Sequence, residues 1–244
     1  IQRETMEYDV VIVGAGPAGL ATSIKLKQIN PDLNVCILEK GSEVGAHILS
    51  GNVFETRALD ELIPDWKTKN APIKTKVKKE KFLFLGKKTS LSWPTWLLPS
   101  VQKNHNNYII SLANLCRWLA SQAEELGVEI FPGFTASKII YDEDQKVVGV
   151  QTGDMGIDKN GNKKDSFEPG LNILAKVTVF SEGCRGHLGK EVISKFKLNE
   201  NKSPQQYGIG FKEIWEIPND QHQKGLVMHT AGWPLDNSTY GGSF

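Results

Sequence analysis

The amino-acid sequence predicts an α/β fold built on a parallel sheet, and three observations support this prediction. Residues 10–13 form a continuous apolar run, which is typical of a strand buried on both faces of a sheet. Gly14, Gly16 and Gly19 follow immediately, at the start of a helix-like segment. A second apolar run, residues 35–38, comes after that segment. Strand, glycine-rich turn, helix and strand in this order predict a Rossmann-type unit.

The glycine spacing also predicts a ligand. Gly14 permits a tight turn, Gly16 leaves room for a pyrophosphate beside the backbone, and Gly19 allows close packing of helix on strand. The helix start offers free N–H groups and a positive dipole end to the phosphates. Glu39 ends the second strand, near the spacing of about 20 residues expected for an acid that accepts a hydrogen bond from a ribose hydroxyl. The alternative is a unit that keeps its glycines for packing alone and binds no dinucleotide.

Further segments extend the predicted sheet and return to the same edge. Apolar residues recur at helical spacing over 112–126, and residues 128–131 are typical of a strand, so a helix leads into a third parallel strand. Residues 171–180 form another strand, which runs into a glycine-rich turn that contains Glu182 and Gly183. Because the carboxyl ends of these strands lie at one edge of the sheet, we expect this turn to close the dinucleotide site.

Outside this sheet the sequence pattern is less regular. Residues 65–107 are irregular, basic and aromatic, and residues 153–170 form a polar loop. A calcium site in that loop is excluded, because the positions that need glycine and a bidentate glutamate hold lysine and proline. Residues 208–217 alternate with apolar residues on one face, and residues 226–233 form a further strand. These last strands predict a second sheet in a substrate domain.

Composition limits the function classes. The chain has 244 residues and a net charge of +1, which excludes strong global attraction to nucleic acid. No apolar run reaches about 18 residues, so we expect no spanning helix. Cys36, Cys116 and Cys184 are too far apart in sequence for a metal or cluster motif, and we expect no metal site. The first two are predicted to be buried thiols.

A basic and aromatic segment is a candidate for contact with a membrane surface. Between Lys67 and Lys88 there are nine lysines and one acid, Glu80. Tryptophan favours the headgroup level of a bilayer, and lysine favours an anionic surface. The combination is typical of a shallow anchor that lies on the bilayer, but a buried hairpin with a solvated lysine face fits the sequence equally well. The candidate contact residues are Phe82, Phe84, Trp93, Trp96, Leu97 and Leu98.

Several motifs together resemble those of electron transfer flavoprotein–ubiquinone oxidoreductases. The first motif is shared by many flavoproteins, whereas the later ones are much more specific. The resemblance covers nearly the whole chain, and the basic stretch 67–90 matches least. The motifs that carry it are residues 6–20, 45–51, 107–109, 181–188, 233–236 and 239–244.

This resemblance implies an oxidoreductase that binds FAD and one four-iron–four-sulfur (4Fe-4S) cluster. It would take electrons from reduced electron transfer flavoprotein and reduce ubiquinone at a membrane, which favours the anchor over the buried hairpin. The implied location is the matrix side of the mitochondrial inner membrane, or the plasma membrane if the source is bacterial. The family's cluster ligands are cysteines near its C-terminus that this sequence lacks, so we expect a truncated chain without the cluster.

The resemblance also implies a domain plan and a set of contacts. The fold would be a Rossmann-type FAD-binding domain of the glutathione-reductase-like kind with an inserted α+β quinone domain. Its segments would be 1–65 (FAD-binding domain, first part), 66–107 (membrane-contact insertion), 108–195 (FAD-binding domain, continued) and 196–244 (an incomplete quinone-binding domain). The expected FAD contacts are Gly14, Ala15, Gly16, Pro17, Ala18, Gly19, Glu39, Lys40, Gly45, Ala46, His47, Leu49, Ser50, Gly51, Glu182 and Gly183. The expected quinone contacts are Tyr240, Gly241 and Gly242.

Two alternatives remain open from the sequence. One is another FAD-dependent reductase of similar fold, such as a geranylgeranyl reductase that acts on lipid double bonds. The other is a non-catalytic binding protein that keeps the flavoprotein scaffold, as GDP-dissociation inhibitors do. Glu39 and the intact glycines argue against the second. No catalytic residue and no proton donor for the quinone can be assigned from the sequence.

Overall fold

The structure is a computed structural model, and it describes residues 2–48, 51–236 and 241–243. The chain divides into two units. Their boundaries differ from those of the four segments proposed from sequence, and the functional division into those segments stays a prediction. Unit 1 comprises Ile1–Leu49 and Leu112–Phe211, and unit 2 comprises Ser50–Ser111 and Lys212–Phe244.

Both units combine strands with helices. The strands are β1 (Thr5–Val13), β2 (Val35–Glu39), β3 (Asn52–Phe54), β4 (Thr75–Lys76), β5 (Lys79–Leu85), β6 (Ser90–Trp93), β7 (Tyr108–Ile110), β8 (Glu129–Pro132), β9 (Ala136–Tyr141), β10 (Val147–Thr152), β11 (Met155–Ile157), β12 (Lys163–Glu168), β13 (Asn172–Phe180), β14 (Leu226–Gly232) and β15 (Gly242–Ser243). The α-helices are α1 (Pro17–Ile29), α2 (Arg57–Leu62), α3 (Leu112–Glu125) and α4 (His187–Lys195), and short 3-10 turns cover Thr95–Leu97 and Ser100–Gln102.

Unit 1 is built on a six-stranded sheet with the order β8-β2-β1-β13-β10-β9. β1 pairs in parallel with β2 and β13, and β2 pairs in parallel with β8. α1 connects β1 to β2, and α3 leads into β8, as the predicted crossovers require. β10 and β9 add two antiparallel strands at the other edge. The predicted α/β fold with a parallel sheet is therefore confirmed.

The apolar runs predicted to be buried strands form the core of unit 1. Val11, Ile12, Cys36 and Ile37 are fully enclosed, because β1 and β2 are interior strands of the sheet. α3 buries Cys116 in the same way. Burial raises the pKa of Cys36 to about 12 and that of Cys116 to about 11. Both thiols therefore stay protonated near neutral pH, as expected of structural cysteines.

Two predictions about the second half of the chain are wrong. The predicted strand over 208–217 has no regular secondary structure, and Phe211 within it is 95% exposed. Alternation produces a strand only where a neighbouring strand takes up its N–H and C=O groups, and no strand of the described residues pairs with this segment. The predicted polar loop over 153–170 contains the antiparallel pair β11 and β12. β12 contains two lysines and an aspartate, so its hydrophobicity pattern does not indicate a strand.

Unit 2 contains two sheets, with the orders β15-β14-β5-β6 and β3-β7-β4. β14 confirms the strand predicted over 226–233, and it pairs in parallel with β5. The prediction that residues 65–107 are irregular is wrong, because this range holds β4, β5 and β6. β4 has only two residues, and lysines occupy two of the first three positions of β5, so the apolar pattern of both strands is weak.

Asp154 joins the start of β11 to the chain that enters β13. Its carboxylate accepts hydrogen bonds from the guanidinium of Arg3 and, at 2.8 Å, from the N–H of Gly170. Arg3 also donates to the Gly170 carbonyl oxygen at 3.0 Å. These bonds stabilise the ionised carboxylate and lower the pKa of Asp154 to about 2.

We expect Asp154→Asn to lower the thermal unfolding midpoint by a few degrees at neutral pH. The folded-state pKa lies below the value of about 3.9 expected for an unfolded chain, so the charge stabilises the fold above about pH 4. This stabilisation is lost as the pH falls toward 2, and the difference between variant and wild type should shrink across that window in circular-dichroism melts. Asp144→Asn is the control, because the exposed pair of Asp144 and Lys146 contributes little. A difference that is constant down to pH 2 would contradict the role of the charge.

Candidate functional site

The candidate site lies at the carboxyl edge of the sheet in unit 1. The register places Val13 opposite Leu38 and Phe180, so β1, β2 and β13 end side by side. The N–H of Gly14 donates to the Leu38 carbonyl oxygen at 2.8 Å. The Ser181 hydroxyl lies 2.9 Å from the Val13 carbonyl oxygen and 3.0 Å from the Gly14 carbonyl oxygen. These bonds hold the glycine-rich turn between the two neighbouring strands.

Helix α1 begins at this edge with an uncapped N-terminus. Gly16 precedes its first residue, Pro17, and no side chain caps the helix. A Cβ atom at Gly16 would have no neighbour within 4 Å, and Pro17 and Ala18 are exposed. A Cβ atom at Gly19 would lie 2.1 Å from the Gly14 carbonyl oxygen, so only glycine permits this packing. The first turn therefore combines open space with N–H groups that no side chain caps, which suits a phosphate group.

Glu39 lies beside this turn, at the end of β2. One carboxylate oxygen accepts from the N–H of Ala15 at 2.9 Å, and the other accepts from the N–H of Gly41 at 2.7 Å. Each oxygen keeps a second lone pair that a ribose hydroxyl can use. The carboxylate is thus oriented by the loops on both sides of it, and Lys40 next to it is exposed.

The loop after β2 lies against the start of α3. Gly45 is buried there, and a Cβ atom on it would lie 2.8 Å from the Ala113 carbonyl oxygen. Glu43 forms an ion pair with Arg117 of α3 at 2.8 Å. The loop is therefore held in place by its own unit, although its predicted flavin contact stays a prediction. Of the other predicted contacts, Ala46 and His47 are exposed, Leu49 and Ser50 lie outside the described residues, and Gly51 lies in unit 2.

Glu182 was predicted to close the dinucleotide site, and that contact stays a prediction. Its carboxylate accepts backbone hydrogen bonds at the start of α4, where Gly186 precedes the helix and offers no side-chain cap. The donors to the carboxylate are the N–H groups of His187 (3.0 Å), Leu188 (3.2 Å) and Gly189 (2.7 Å).

Ser181 is a site residue that the sequence did not single out. Its hydroxyl joins the end of β13 to the glycine-rich turn after β1. The available signal is a hydroxyl residue directly after a predicted strand, at the edge where parallel strands end.

The predicted quinone contacts fall at the edge of the four-stranded sheet in unit 2. Gly242 pairs with Thr230 of β14, and a Cβ atom on it would lie 3.3 Å from the Thr230 hydroxyl. Gly241 has a φ of +108°, and its Cβ atom would lie 2.2 Å from the Thr230 carbonyl oxygen. Glycine is therefore required at 241. Tyr240 lies outside the described residues.

Exposed apolar side chains extend from the same sheet. The rings of Phe84 and Trp93 meet edge to face at 6.0 Å, and Phe82 is half-buried next to them. Trp96 is 75% exposed and Leu97 is 50% exposed. Leu98 is only 8% exposed, so its predicted membrane contact is wrong, because the side chain packs inward. The remaining candidates form an accessible apolar surface, which Lys87 and Lys88 border in sequence.

No group of three or more His, Cys, Asp or Glu side chains in 2–48, 51–236 and 241–243 is placed to hold a metal ion. Within the same ranges, no helix combines the length and apolar character needed to cross a bilayer.

Comparison with known proteins identifies relatives along the whole chain. A family model described as "ETF-QO, ubiquinone-binding" matches residues 207–244, and the Thi4 family model matches residues 2–62. The mitochondrial electron transfer flavoprotein–ubiquinone oxidoreductase of Oryza sativa is 55% identical over 99% of this chain and 42% of its own length. The probable enzyme of Acinetobacter baylyi is 54% identical (100% and 44%), and that of Bos taurus is 49% identical (100% and 40%). The chain thus spans about two-fifths of the relatives it matches.

Solved structures of similar fold are distant in sequence. A geranylgeranyl bacteriochlorophyll reductase-like protein from Thermoplasma acidophilum has a TM-score of 0.58 at 17% identity, covering 94% of this chain and 51% of its own. A flavoprotein/dehydrogenase from Cytophaga hutchinsonii has a TM-score of 0.54 at 18% identity, covering 92% and 50%. At these identities the likeness supports the α/β flavoprotein fold and nothing more specific.

Gly16 and Gly19 provide a matched test of the site. We expect Gly19→Ala to prevent correct folding or lower the unfolding midpoint strongly, because the added methyl group meets the backbone of Gly14. Gly16→Ala should fold, since its methyl group enters open space, but should bind the dinucleotide at least about tenfold more weakly. Thermal melts and titration of the flavin-free full-length protein with FAD measure the two effects. Equal FAD affinity in Gly16→Ala and wild type would contradict a phosphate contact at this turn.

Proposed function

We propose that this chain, homologous along its whole length to electron transfer flavoprotein–ubiquinone oxidoreductases, forms the FAD-binding part and a portion of the quinone-binding part of such an enzyme. The enzyme passes electrons from reduced electron transfer flavoprotein to ubiquinone at a membrane surface. The observation that carries the proposal is the uncapped N-terminus of α1, with open space at Gly16 and the Glu39 carboxylate beside it.

The residues at the edge of unit 1 fit FAD. The first turn of α1 would bind the pyrophosphate, and Glu39 would accept from the ribose of the adenosine half, where a 2′-phosphate would be repelled. The loop over Gly45–His47 would flank the rest of the cofactor. When bound, FAD supplies the electron-transfer chemistry, and the protein's part is to bind it, orient it and tune its electrostatic surroundings.

Unit 2 is proposed to be the inserted α+β domain of a glutathione-reductase-like flavoprotein. It combines two small sheets with α2, and the ubiquinone-binding family model matches residues 207–244, most of which lie in this unit. The backbone at Gly241 and Gly242 would bind a quinone oxygen. Fixed peptide groups suit this task, because they cost little reorganisation when charge develops on the oxygen.

The 4Fe-4S cluster and the location are also proposals. The cluster would be held by cysteines in the part of the relatives that this chain does not span. A place on the matrix side of the mitochondrial inner membrane agrees with the mitochondrial relatives, and one on the bacterial plasma membrane agrees with the Acinetobacter relative.

The exposed apolar surface of unit 2 is proposed to rest on the membrane. Phe84, Trp93, Trp96 and Leu97 would reach the headgroup and upper acyl region without spanning the bilayer. Tryptophan prefers this depth, and lysines nearby add attraction to anionic lipid. Such a surface would bring the quinone-binding backbone close to a substrate that is dissolved in the bilayer.

The electron path is tested by visible spectra of the full-length protein. We expect flavin absorbance that bleaches with reduced electron transfer flavoprotein and recovers with a soluble ubiquinone analogue. The reason is that the bound flavin would accept electrons from the first and donate them to the second. Flavin that responds to neither would contradict the proposed function. Rapid bleaching by NADPH instead would favour the geranylgeranyl-reductase-like alternative, and a protein without flavin would favour the non-catalytic one.

The membrane surface is tested by replacing Trp93, Trp96 and Leu97 together with serine. We expect sedimentation with vesicles of neutral and anionic phospholipid to weaken at least about tenfold, since three exposed apolar side chains leave the contact. Ile29→Ser is the control, because Ile29 is a comparably exposed apolar residue in unit 1. Unchanged vesicle binding by the triple variant would locate the anchor elsewhere.

A further inference from the structure

His229 occupies a distinctive place in unit 2, at the centre of the four-stranded sheet. It lies in β14, opposite Phe82 of β5 on one side and Ser243 of β15 on the other. The next pair along β14 and β15 joins Thr230 to Gly242. The imidazole therefore belongs to the strand that directly adjoins the proposed quinone-binding backbone.

A polar chain fixes this imidazole. One carboxylate oxygen of Glu80 accepts from the backbone N–H of Asn104 at 2.8 Å and from its Nδ2 at 2.7 Å. The same Nδ2 lies 3.1 Å from Nε2 of His229. Because a carboxylate accepts hydrogen bonds, the atom of Asn104 that faces Glu80 is the amide nitrogen. The orientation of the amide is thereby settled.

The amide orientation determines the tautomer of His229. Nδ2 of Asn104 has two protons, one for Glu80 and one for the histidine, so Nε2 must be the acceptor. A histidine whose Nε2 accepts carries its proton on Nδ1. Among the described residues, Nδ1 has no hydrogen-bond partner, so a donor N–H is left for a ligand.

The ring is supported on an apolar surface. The rings of His229 and Phe82 are 6.3 Å apart at 32°, and Phe82 in turn lies 5.4 Å from Phe84. The rings of Phe84, Phe82 and His229 therefore form a row of aromatic carbon, and the Nδ1–H of His229 is a fixed hydrogen-bond donor at its end. An apolar ring that carries carbonyl oxygens matches this arrangement, and a quinone head group has that chemistry.

We propose that His229 donates an Nδ1–H hydrogen bond to a carbonyl oxygen of the quinone, with Asn104 and Glu80 as positioning residues. The proposal rests on the proposed quinone-reducing function. Reduction to quinol takes up two electrons, which the reduced flavin supplies, and two protons, which come from solvent. No bond to His229 forms or breaks. The hydrogen bond strengthens as negative charge develops on the oxygen, so it favours the reduced form.

A purely structural role would give these residues a different task. The hydrogen bonds between Glu80 and Asn104 would hold the segment around Asn104 against β5. His229 would only accept a hydrogen bond from the Asn104 amide. In that case the important atom of the histidine is Nε2, whereas the quinone contact requires Nδ1. Two substitutions separate these atoms, because the amide of asparagine reaches the position of Nδ1 and the longer amide of glutamine reaches that of Nε2.

The test compares His229→Asn with His229→Gln in the full-length flavin-containing protein. We expect quinone kcat/KM to fall at least about tenfold in His229→Gln and to stay at least about fivefold higher in His229→Asn, because one hydrogen bond to a charged oxygen is lost only in the former. Binding of a non-reducible quinone analogue should follow the same order. The reverse order, or equal values, would overturn the proposal.

Controls assign any loss to the quinone step. FAD content, unfolding midpoint and reduction of a one-electron acceptor are measured on the same proteins, and His222→Gln serves as the exposed histidine control. If the His229 variants lose FAD, Asn104→Ala provides the test instead. This substitution removes the amide that fixes the tautomer of His229 and leaves the imidazole ring unaltered. A lower quinone kcat/KM in Asn104→Ala would support the proposal, and an unchanged value would overturn it. A wild-type protein that does not reduce quinone would overturn the proposed function and this proposal together.

Discussion

The candidate contacts of unit 1 depend on the position of β1 between β2 and β13 in matched register. Val13 ends opposite Leu38 and Phe180, and the next residues of all three strands therefore meet at one edge. Ser181 bonds to the turn from one side, and the Leu38 carbonyl oxygen accepts from it on the other. A shift of β2 by one residue would separate the Glu39 carboxylate from the start of α1, and a shift of β13 would separate the Ser181 hydroxyl from the turn after β1.

The same register explains which parts of the site could be predicted from sequence. Val10–Val13 and the glycines after them form a local pattern, in which strand, turn and helix follow one another within about 20 residues. Such a pattern can be read without knowledge of the tertiary structure. Gly19 is an example, because its neighbour, the Gly14 carbonyl oxygen, lies only five positions away in sequence.

The roles of the two acids at this edge could not be separated by pattern. Glu39 ends β2, Glu182 comes two residues after the end of β13, and both accept backbone N–H bonds. They differ in which N–H groups lie nearby, and for Glu182 the deciding fact is that Gly186 offers α4 no side-chain cap. The strands within residues 65–107 were missed for a similar reason, since β5 pairs in parallel with β14, more than a hundred residues later in the chain. Nothing local signals such a pairing.

His229 illustrates how a polar group in an apolar setting can be interpreted. His229 is only partly buried, and Asn104 supplies a partner for Nε2, so Nδ1 stays available to solvent or to a ligand. A histidine with one nitrogen fixed by Asn104 and the other available suits a ligand that accepts one hydrogen bond. The apolar surface of Phe82 and Phe84 strengthens this argument, because a hydrogen bond made beside aromatic carbon is less weakened by water than one made at an open surface.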